Sequence, residues 1–546
     1  MFMSACKNCQ IEFEIKPEDN VFYKRFDVPN PDMCPDCRLQ HKLCFRNERT
    51  FYKRTSSLSG AQMISIYNPD CKSPVYSREE WWSDKWDGID YGKDFDFNRP
   101  FFEQFHELIL KVPRIGLFNV NPFNSDFCQQ AYDNKNSYMC VVVEKCEDSM
   151  YVSHSNNLRD CYDCSFLHDC ELCYECLDSN KLYSCIECQS CQNSSNLIYC
   201  YDCIGCKDCV GCYGLRNKQY YIMNERYTPQ DYAEKIKNLE LNKYSKFLNC
   251  HAYFVELSKS QPHRSNWNLN TDHCTGDYLI NCKNAHQCFD SFELQDCAYC
   301  TWIFNSHDCH DVYGLGHGEF VYQGLGVEAV NNCAFNTFVS DSSDAFYSDL
   351  SFYCMNIFGC VGLRNKKYCI LNKQYSREEY EALKPRIIEH MKKTGEWGQF
   401  FPTDLSPYCY NETAANYRYP LTKSEALNKG YKWKDPDPKE YAKQTYEIPD
   451  DVKEIDSNIC KETLGCINCG KNYKVLPQEL NYYKKMNIPV TRKCLDCRFS
   501  DRFALRNPKK LWARKCEKCS TDIDTTFPLS SPMKVYCEKC YSEFVS

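Results

Sequence analysis

From Ser125 to Leu215 every third residue is small or apolar, Asn134 being the exception among 31 positions; from Leu279 to Leu363 the rule returns, with Asn336 out of line among 29. A helix repeats its apolar face every 3.6 residues and a strand every second residue, so a strict period of three suits neither. It demands a chain that turns after every few residues and sends one side chain in three towards a narrow axis. A period of fifteen is superimposed on the first run, with Cys146, Cys161, Cys176, Cys191 and Cys206 in one column and Val152, Leu167, Leu182, Leu197 and Cys212 in another. The expectation is a slim β-solenoid of about 15 residues per turn, stacked turn on turn. Its core has no room for rings, and Tyr162, Tyr174, Tyr183, Tyr199 and Tyr201 fall outside the columns.

The second run is a copy. Gly211-Cys-Tyr-Gly-Leu-Arg-Asn-Lys-Gln-Tyr220 matches Gly359-Cys-Val-Gly-Leu-Arg-Asn-Lys-Lys-Tyr368 at an offset of 148. After each run comes a helix N-cap signature, Thr228 before Pro229 and Asp231, and Ser376 before Glu379, which predicts helices closing the open ends. Another helix is predicted at 100–111, with Phe101, Phe105, Leu108 and Ile109 on one face, capping the start of the first solenoid.

Cys6-x2-Cys9 and Cys34-x2-Cys37 are separated by 24 residues, and so are Cys466-x2-Cys469 and Cys494-x2-Cys497. One module is therefore used twice, each copy offering four thiolates for a closed, structural zinc shell. Cys516-x2-Cys519 with Cys537-x2-Cys540 makes a third site. The N-terminal copy of that third site, aligned through Val75-Tyr76 and Val535-Tyr536, places Ser56, Ser59, Ser77 and Glu80 at the four ligand positions. It reads as a module that has lost its metal, with Trp81, Trp82 and Trp86 supplying a small apolar core instead.

The expected fold is mainly β: two tandem duplicated solenoids with capping helices, flanked by zinc modules. Residues 1–54 form the N-terminal zinc module, 55–98 the zinc-less module and aromatic linker, and 99–124 a capping helix and lead-in. Residues 125–221 and 273–369 are the solenoids, 222–272 a capping helix and linker, 370–460 a capping helix and aromatic extension, and 461–546 the C-terminal pair of zinc modules.

The stretch Cys466-Ile-Asn-Cys-Gly-Lys-Asn-Tyr473, with Tyr482-Tyr483 and Arg492-Lys-Cys-Leu-Asp-Cys-Arg498, resembles the small "probable zinc-binding" domain of many bacterial proteins, a treble-clef or zinc-ribbon-like unit. Through Arg46-Asn-Glu-Arg49, Trp81-Trp82-Ser-Asp-Lys-Trp86 and the Gly-Leu-Arg-Asn-Lys signature, the whole chain resembles large cysteine-rich proteins of candidate-phylum bacteria. That resemblance implies a recurrent architecture and no particular activity. The coil itself resembles the cysteine-bearing solenoids of insect antifreeze proteins, without their ranked threonines.

Among 546 residues there are 43 cysteines. In a reducing cytoplasm, the expected location, they remain thiols available to zinc. No run reaches the roughly eighteen apolar residues of a membrane helix. The net charge of −8 hides a division: Ser125 to Leu215 carries fourteen acidic residues against five basic, whereas Arg492 to Lys518 carries ten basic against three acidic. Two readings of the basic ends stand open. Arg38, Lys42, Arg46, Arg49, Arg498, Arg502, Arg506, Lys509, Lys510, Arg514 and Lys515 contact the phosphates of RNA, a ribonucleoprotein or a single strand, with Tyr52, Trp512 and Tyr541 stacking on bases. Alternatively, they dock on the acidic solenoids of the same chain.

Cysteine alternates with Ser, Val, Leu and Ala at the inward phase, which a packing position tolerates and a metal ligand does not, so most of these thiols read as core. Soft-metal or iron–sulfur binding and redox chemistry by the ladder Cys200 to Cys212 is the alternative from another class. No catalytic motif appears in a suitable setting. Gly314, Gly316 and Gly318 around His317 read as a tight corner, and the aromatic segments between Trp397 and Trp433 as packing against the second solenoid. The expected function is a non-catalytic scaffold or adaptor with about three zinc ions, engaging nucleic acid or protein.

Overall fold

The computed structural model describes residues 2–316, 318, 321–435 and 440–546. It is mainly β, with 30% strand and 25% helix. A ten-stranded sheet runs in sequence order from Asn119–Val120 to Glu225–Arg226, parallel throughout except for its last pair. An eight-stranded and a four-stranded sheet repeat this arrangement between Gly276–Ile280 and Lys373–Gln374. Such long parallel ladders fit a solenoid-like fold, and the two are called here the first and second coil. No helix among the described residues is long and apolar enough to cross a membrane.

The register corrects the expected fifteen residues per turn. Ser153 pairs with Ser165 and Ser165 with Leu177, a step of 12 residues. Residues with positive φ explain the shape: Gln130, Asp133, Asn136, Met139 and Val142 begin a series that returns at every third position as far as Met223. Each unit of three thus contains one inward residue, one extended residue and one left-handed corner, and four corners close a turn. Asn, Asp and Gly occupy many corners because they tolerate that conformation best. Fifteen misled because any multiple of three returns to the inward phase; only the corner count selects twelve.

At the true step, Cys128, Cys140, Val152, Cys164, Cys176, Cys188, Cys200 and Cys212 form a single column, each 0 or 1% exposed. Inward thiols also hydrogen-bond. Cys164 donates to the carbonyl of Tyr162 at 3.3 Å and Cys200 to that of Ile198 at 3.5 Å, as Ser149 and Ser179 do to Glu147 and Leu177 at 2.8 Å. Each of these carbonyls already accepts a backbone N–H from the next turn, Tyr162 from Glu175 at 3.1 Å and Ile198 from Gly211 at 2.9 Å, and the inward side chain is a second donor to it. Cysteine supplies one with more bulk than serine, and alanine supplies none. The two exceptions to the period bond in the other direction: Asn134 accepts from the Cys146 amide at 2.7 Å and Asn336 from the Ser348 amide at 2.8 Å, while Asn336 also donates to the Ala345 carbonyl at 2.8 Å.

Thr228 and Ser376 cap the helices Pro229–Asn238 and Arg377–Thr394. The second buries Tyr380, Ile387 and Met391, while the first buries no side chain. The helix Phe101–Lys111 forms, but it covers the second coil and not the start of the first, because its aromatic face meets the rings that coil carries: Phe101 packs on Tyr347 and Phe358 at 5.4 and 5.5 Å between ring centres. Reciprocally, the helix Tyr244–Ser260 packs on the first coil through Phe247 and Tyr199. Trp397 and Phe401 lie against Tyr347 of the second coil.

Candidate metal centres and the clamps they carry

In each terminal module the first cysteine pair sits at the tip of a hairpin and the second opens a helix. Cys34, Cys494 and Cys537 are the N-cap residues of Pro35–Leu43, Leu495–Ala504 and Glu538–Val545. The positive end of a helix dipole stabilises a thiolate there. The structure brings together the three sets expected: Cys6, Cys9, Cys34 and Cys37; Cys466, Cys469, Cys494 and Cys497; Cys516, Cys519, Cys537 and Cys540. Within each, the sulfurs lie within 4.8 Å of one another.

A tetrahedral ion with sulfur at about 2.3 Å requires sulfur–sulfur edges of about 3.8 Å. Cys9–Cys34, Cys469–Cys494 and Cys519–Cys537 stand at 3.8, 3.6 and 3.7 Å, so the donor sets fit a metal of that size. Asn8 donates to the Cys37 sulfur at 3.2 Å and the Cys34 amide to Cys6 at 3.3 Å, the contacts a thiolate shell needs around it. The hydrogen bond between Cys37 and Cys34 holds the Cys34 thiol down and pushes that of Cys37 up, while burial pushes Cys494 up to about 11 and a hydrogen bond with Thr521 holds Cys519 down at about 6.

The fourth module has the same backbone without the thiols. Gly60 donates to the Ser56 carbonyl as Ser520 does to Cys516, and Ser57 to Val75 as Glu517 does to Val535. At the ligand positions, Glu80 bonds Ser56, accepts from the Ser77 amide at 3.0 Å, and has Ser59 as a further partner. Burial raises this carboxyl, but those hydrogen bonds outweigh it and leave Glu80 below its ordinary value. A carboxylate with three serines occupies the volume of a metal with four sulfurs. Trp81 and Trp86 are buried beside it, whereas Trp82 is 39% exposed.

The basic residues expected at phosphates lie mostly inside the protein. Arg38 meets Asp311 at 2.8 Å, with Lys42 at 3.8 Å from the same carboxylate. Arg498 meets Asp163 and Glu479, Arg502 meets Asp163 and Glu175, and Arg506 meets Asp178 and Asp290. Lys509 pairs with Asp290, and Arg49 lies over the Phe499 ring at 3.5 Å. Arg514 pairs with Glu517; the exposed Lys510 and Lys515 pair with Asp36 and Asp522. Tyr541 is buried and donates to Asp202, and Tyr52 donates to Glu412 at 2.5 Å; Trp512 is half-buried below Lys510. The buried cations Arg38, Lys42, Arg498, Arg502, Arg506 and Lys509 thus pair with carboxylates of the coils.

This docking is crosswise. The N-terminal module seizes the second coil and the C-terminal module the first, through equivalent groups. Tyr299 donates to Asp19 at 2.8 Å under Arg38, and Tyr151 to Glu479 at 3.2 Å under Arg498. The clamp residues follow the metal-site cysteines directly on the same two helices, Arg38 and Lys42 after Cys37, Arg498 and Arg502 after Cys497.

Sequence reasoning missed a buried junction where four segments converge. Glu48 receives Arg46 at 2.6 Å and the Tyr417 hydroxyl, with Tyr313 at 3.4 Å and His154 at 3.6 Å. Burial raises the Glu48 carboxyl, but the facing Arg46 and the hydrogen bonds of Tyr417 and Arg46 outweigh it and hold the group below its ordinary value. Burial drives His154 well below its ordinary value, so near neutrality the imidazole is uncharged and Arg46 is the counter-ion. Gly314 and Gly326 of the second coil make room for Arg46: a side chain at either would meet its guanidinium at 3.1 or 2.9 Å. His317 lies outside the described residues.

Set beside known proteins, this chain is matched by no protein-family model and by no curated protein sequence.

Proposed function

We propose that this chain is a non-catalytic scaffold in which structural zinc at three tetracysteine centres locks terminal modules onto two solenoids in a reducing, cytoplasmic setting. The observation that carries the reading is the direct succession of thiol and clamp on one helix. A four-thiolate shell closed around zinc leaves no open position for chemistry, and its role is to fix the helices that aim Arg38, Lys42, Arg498 and Arg502 at the coils. With those cations paired internally, a nucleic-acid partner forms no part of the reading.

Elemental analysis of the purified, untagged chain tests it. Three zinc ions per chain are expected. Iron or copper in larger amounts, with visible absorption from a cluster, favours the thiol ladder as a metal store and defeats the proposal.

A further inference from the structure

The third metal module and the metal-free fourth share a backbone but not a core. In the fourth, Ile66, Tyr67, Val75, Tyr76, Trp81 and Trp86 are buried. In residues 512–546 the only buried apolar side chains besides Cys516 and Cys540 are Val535 and Tyr541. Tyr541 and Ser546 stand where the fourth module has Trp81 and Trp86. A unit of about 35 residues with so little apolar burial depends on a metal or another cross-link for its fold. The second module differs again, since Leu464, Val475, Leu480, Tyr483, Ile488 and Val490 give it a buried core of its own.

The weakly cored module is also a cover. Val535 and Tyr536 pair with His263 and Arg264. Thr526 donates to Asp277 at 2.7 Å, Thr525 to the Ser265 carbonyl at 2.8 Å, and Tyr541 to Asp202 of the first coil. Beneath these contacts lies a cavity of about 360 Å³, lined by Thr526, Phe527 and Met533 from the module and by Tyr201, Trp267 and Tyr278 from the rest of the chain.

The thiols that hold this cover are open to an oxidant. Cys519 is exposed and Cys537 half-buried, with their sulfurs 3.7 Å apart. Susceptibility to oxidation follows thiolate character and exposure. Hydrogen peroxide takes one electron from each of the two sulfurs; its O–O bond breaks as the S–S bond forms, and two protons from solvent complete two molecules of water. Two thiolates then remain, too few for a closed tetrahedral shell.

We propose that the third centre is a peroxide-operated latch: oxidation of Cys519 with Cys537 removes the cross-link that keeps residues 512–546 folded, frees them from the first coil and uncovers the cavity beneath. The inference rests on the reading of the tetracysteine centres as metal-loaded. Cys469 of the second centre is exposed as well, but oxidation there leaves a module held by its apolar core.

The test treats the full chain, purified under reducing conditions and with its zinc counted, with hydrogen peroxide. Zinc release is followed with a coloured chelator, disulfides by peptide mapping, and backbone opening by amide hydrogen exchange. A disulfide between Cys519 and Cys537 is expected, with loss of zinc and a rise of about tenfold or more in exchange at residues 535–545. Residues 1–54 and 475–504 should keep their protection, and a thiol reductant with added zinc should restore that of 535–545. Fewer than three zinc ions per chain before peroxide would defeat the reading of the centres and the latch with it. With three present, zinc retained at the third centre, unchanged exchange at 535–545 after the disulfide forms, or an equal rise at 475–504 would overturn the latch alone.

Discussion

Arg498 and Asp163 are 335 residues apart in the chain and 2.5 Å apart in the fold. Both side chains are buried, 4 and 0% exposed. Their counterparts in the other half, Arg38 and Asp311, repeat the contact at 2.8 Å. The duplicated coils and the duplicated modules therefore meet through one interface used twice, each module on the coil more distant in sequence.

Asp163→Ala leaves Arg498 and Arg502 with part of their compensation gone in a buried site. Breaking one partner of such a pair costs about 3–5 kcal/mol. Denaturant unfolding of the variant is expected to show that loss, and limited proteolysis to cut first in residues 461–546. Asp311→Ala should instead expose residues 1–54; identical cleavage patterns for the two variants would contradict the crosswise docking.

Metal should leave the three centres in a fixed order. Cys519 and Cys469 are exposed, whereas the first centre has three buried cysteines and one half-buried. Competition with a coloured chelator is expected to resolve a slow final third, abolished by Cys37→Ser. If that variant removes the fast phase instead, burial does not govern release.

Restoring the fourth ligand set is the converse experiment. Ser56→Cys, Ser59→Cys, Ser77→Cys and Glu80→Cys together place four sulfurs on a backbone that already matches the third centre. Native mass spectrometry should find one more metal ion per chain than in the parent, four against an expected three. Retention of the parent stoichiometry would show that Trp81 and its neighbours have closed the site.

Inward cysteines are predicted to differ in what replaces them. Cys200→Ser retains a donor to the Ile198 carbonyl, so its hydroxyl is not buried unpaired, and it is expected to cost less than Cys200→Leu. Cys200→Leu inserts bulk into a column packed at both neighbours and removes the donor, at a cost of about 1–3 kcal/mol from overpacking. Melting temperatures of the two variants decide; a more stable leucine variant would refute the donor role.

The pH dependence of stability carries a His154 signature. An unfolded histidine takes up a proton near pH ~6.5, while the folded His154, held far lower, does not. Below that pH the unfolded state binds more protons, so this contribution to stability falls as the solution is acidified, by up to about 1.4 kcal/mol per pH unit. Comparing His154→Gln with the parent between pH 7 and 5 should show a shallower decline in the variant. Parallel curves would mean that His154 takes up a proton in the fold as readily as in the unfolded chain.

The period of three disclosed the coils, and the paired cysteine spacing disclosed the three thiol centres, because both are local: a corner and a knuckle each span only a few residues. The helix N-caps at Thr228 and Ser376 were legible for the same reason. The step of twelve was not, because fifteen preserves the inward phase equally well. The destination of the basic residues was also hidden, since Arg38, Arg498 and Arg502 carry the same charge whether they face a phosphate or a carboxylate.

Inward phase, duplication and thiol sets were thus determined by sequence alone, through spacings that backbone geometry reads directly. Tertiary structure alone decided that Asp311 would receive Arg38 and Asp163 would receive Arg498, and that Glu48 would meet Arg46, Tyr417 and His154 in one buried junction. Each of these depends on which distant surfaces meet and exclude water, and a buried charge acquires its meaning only from the partner it finds there.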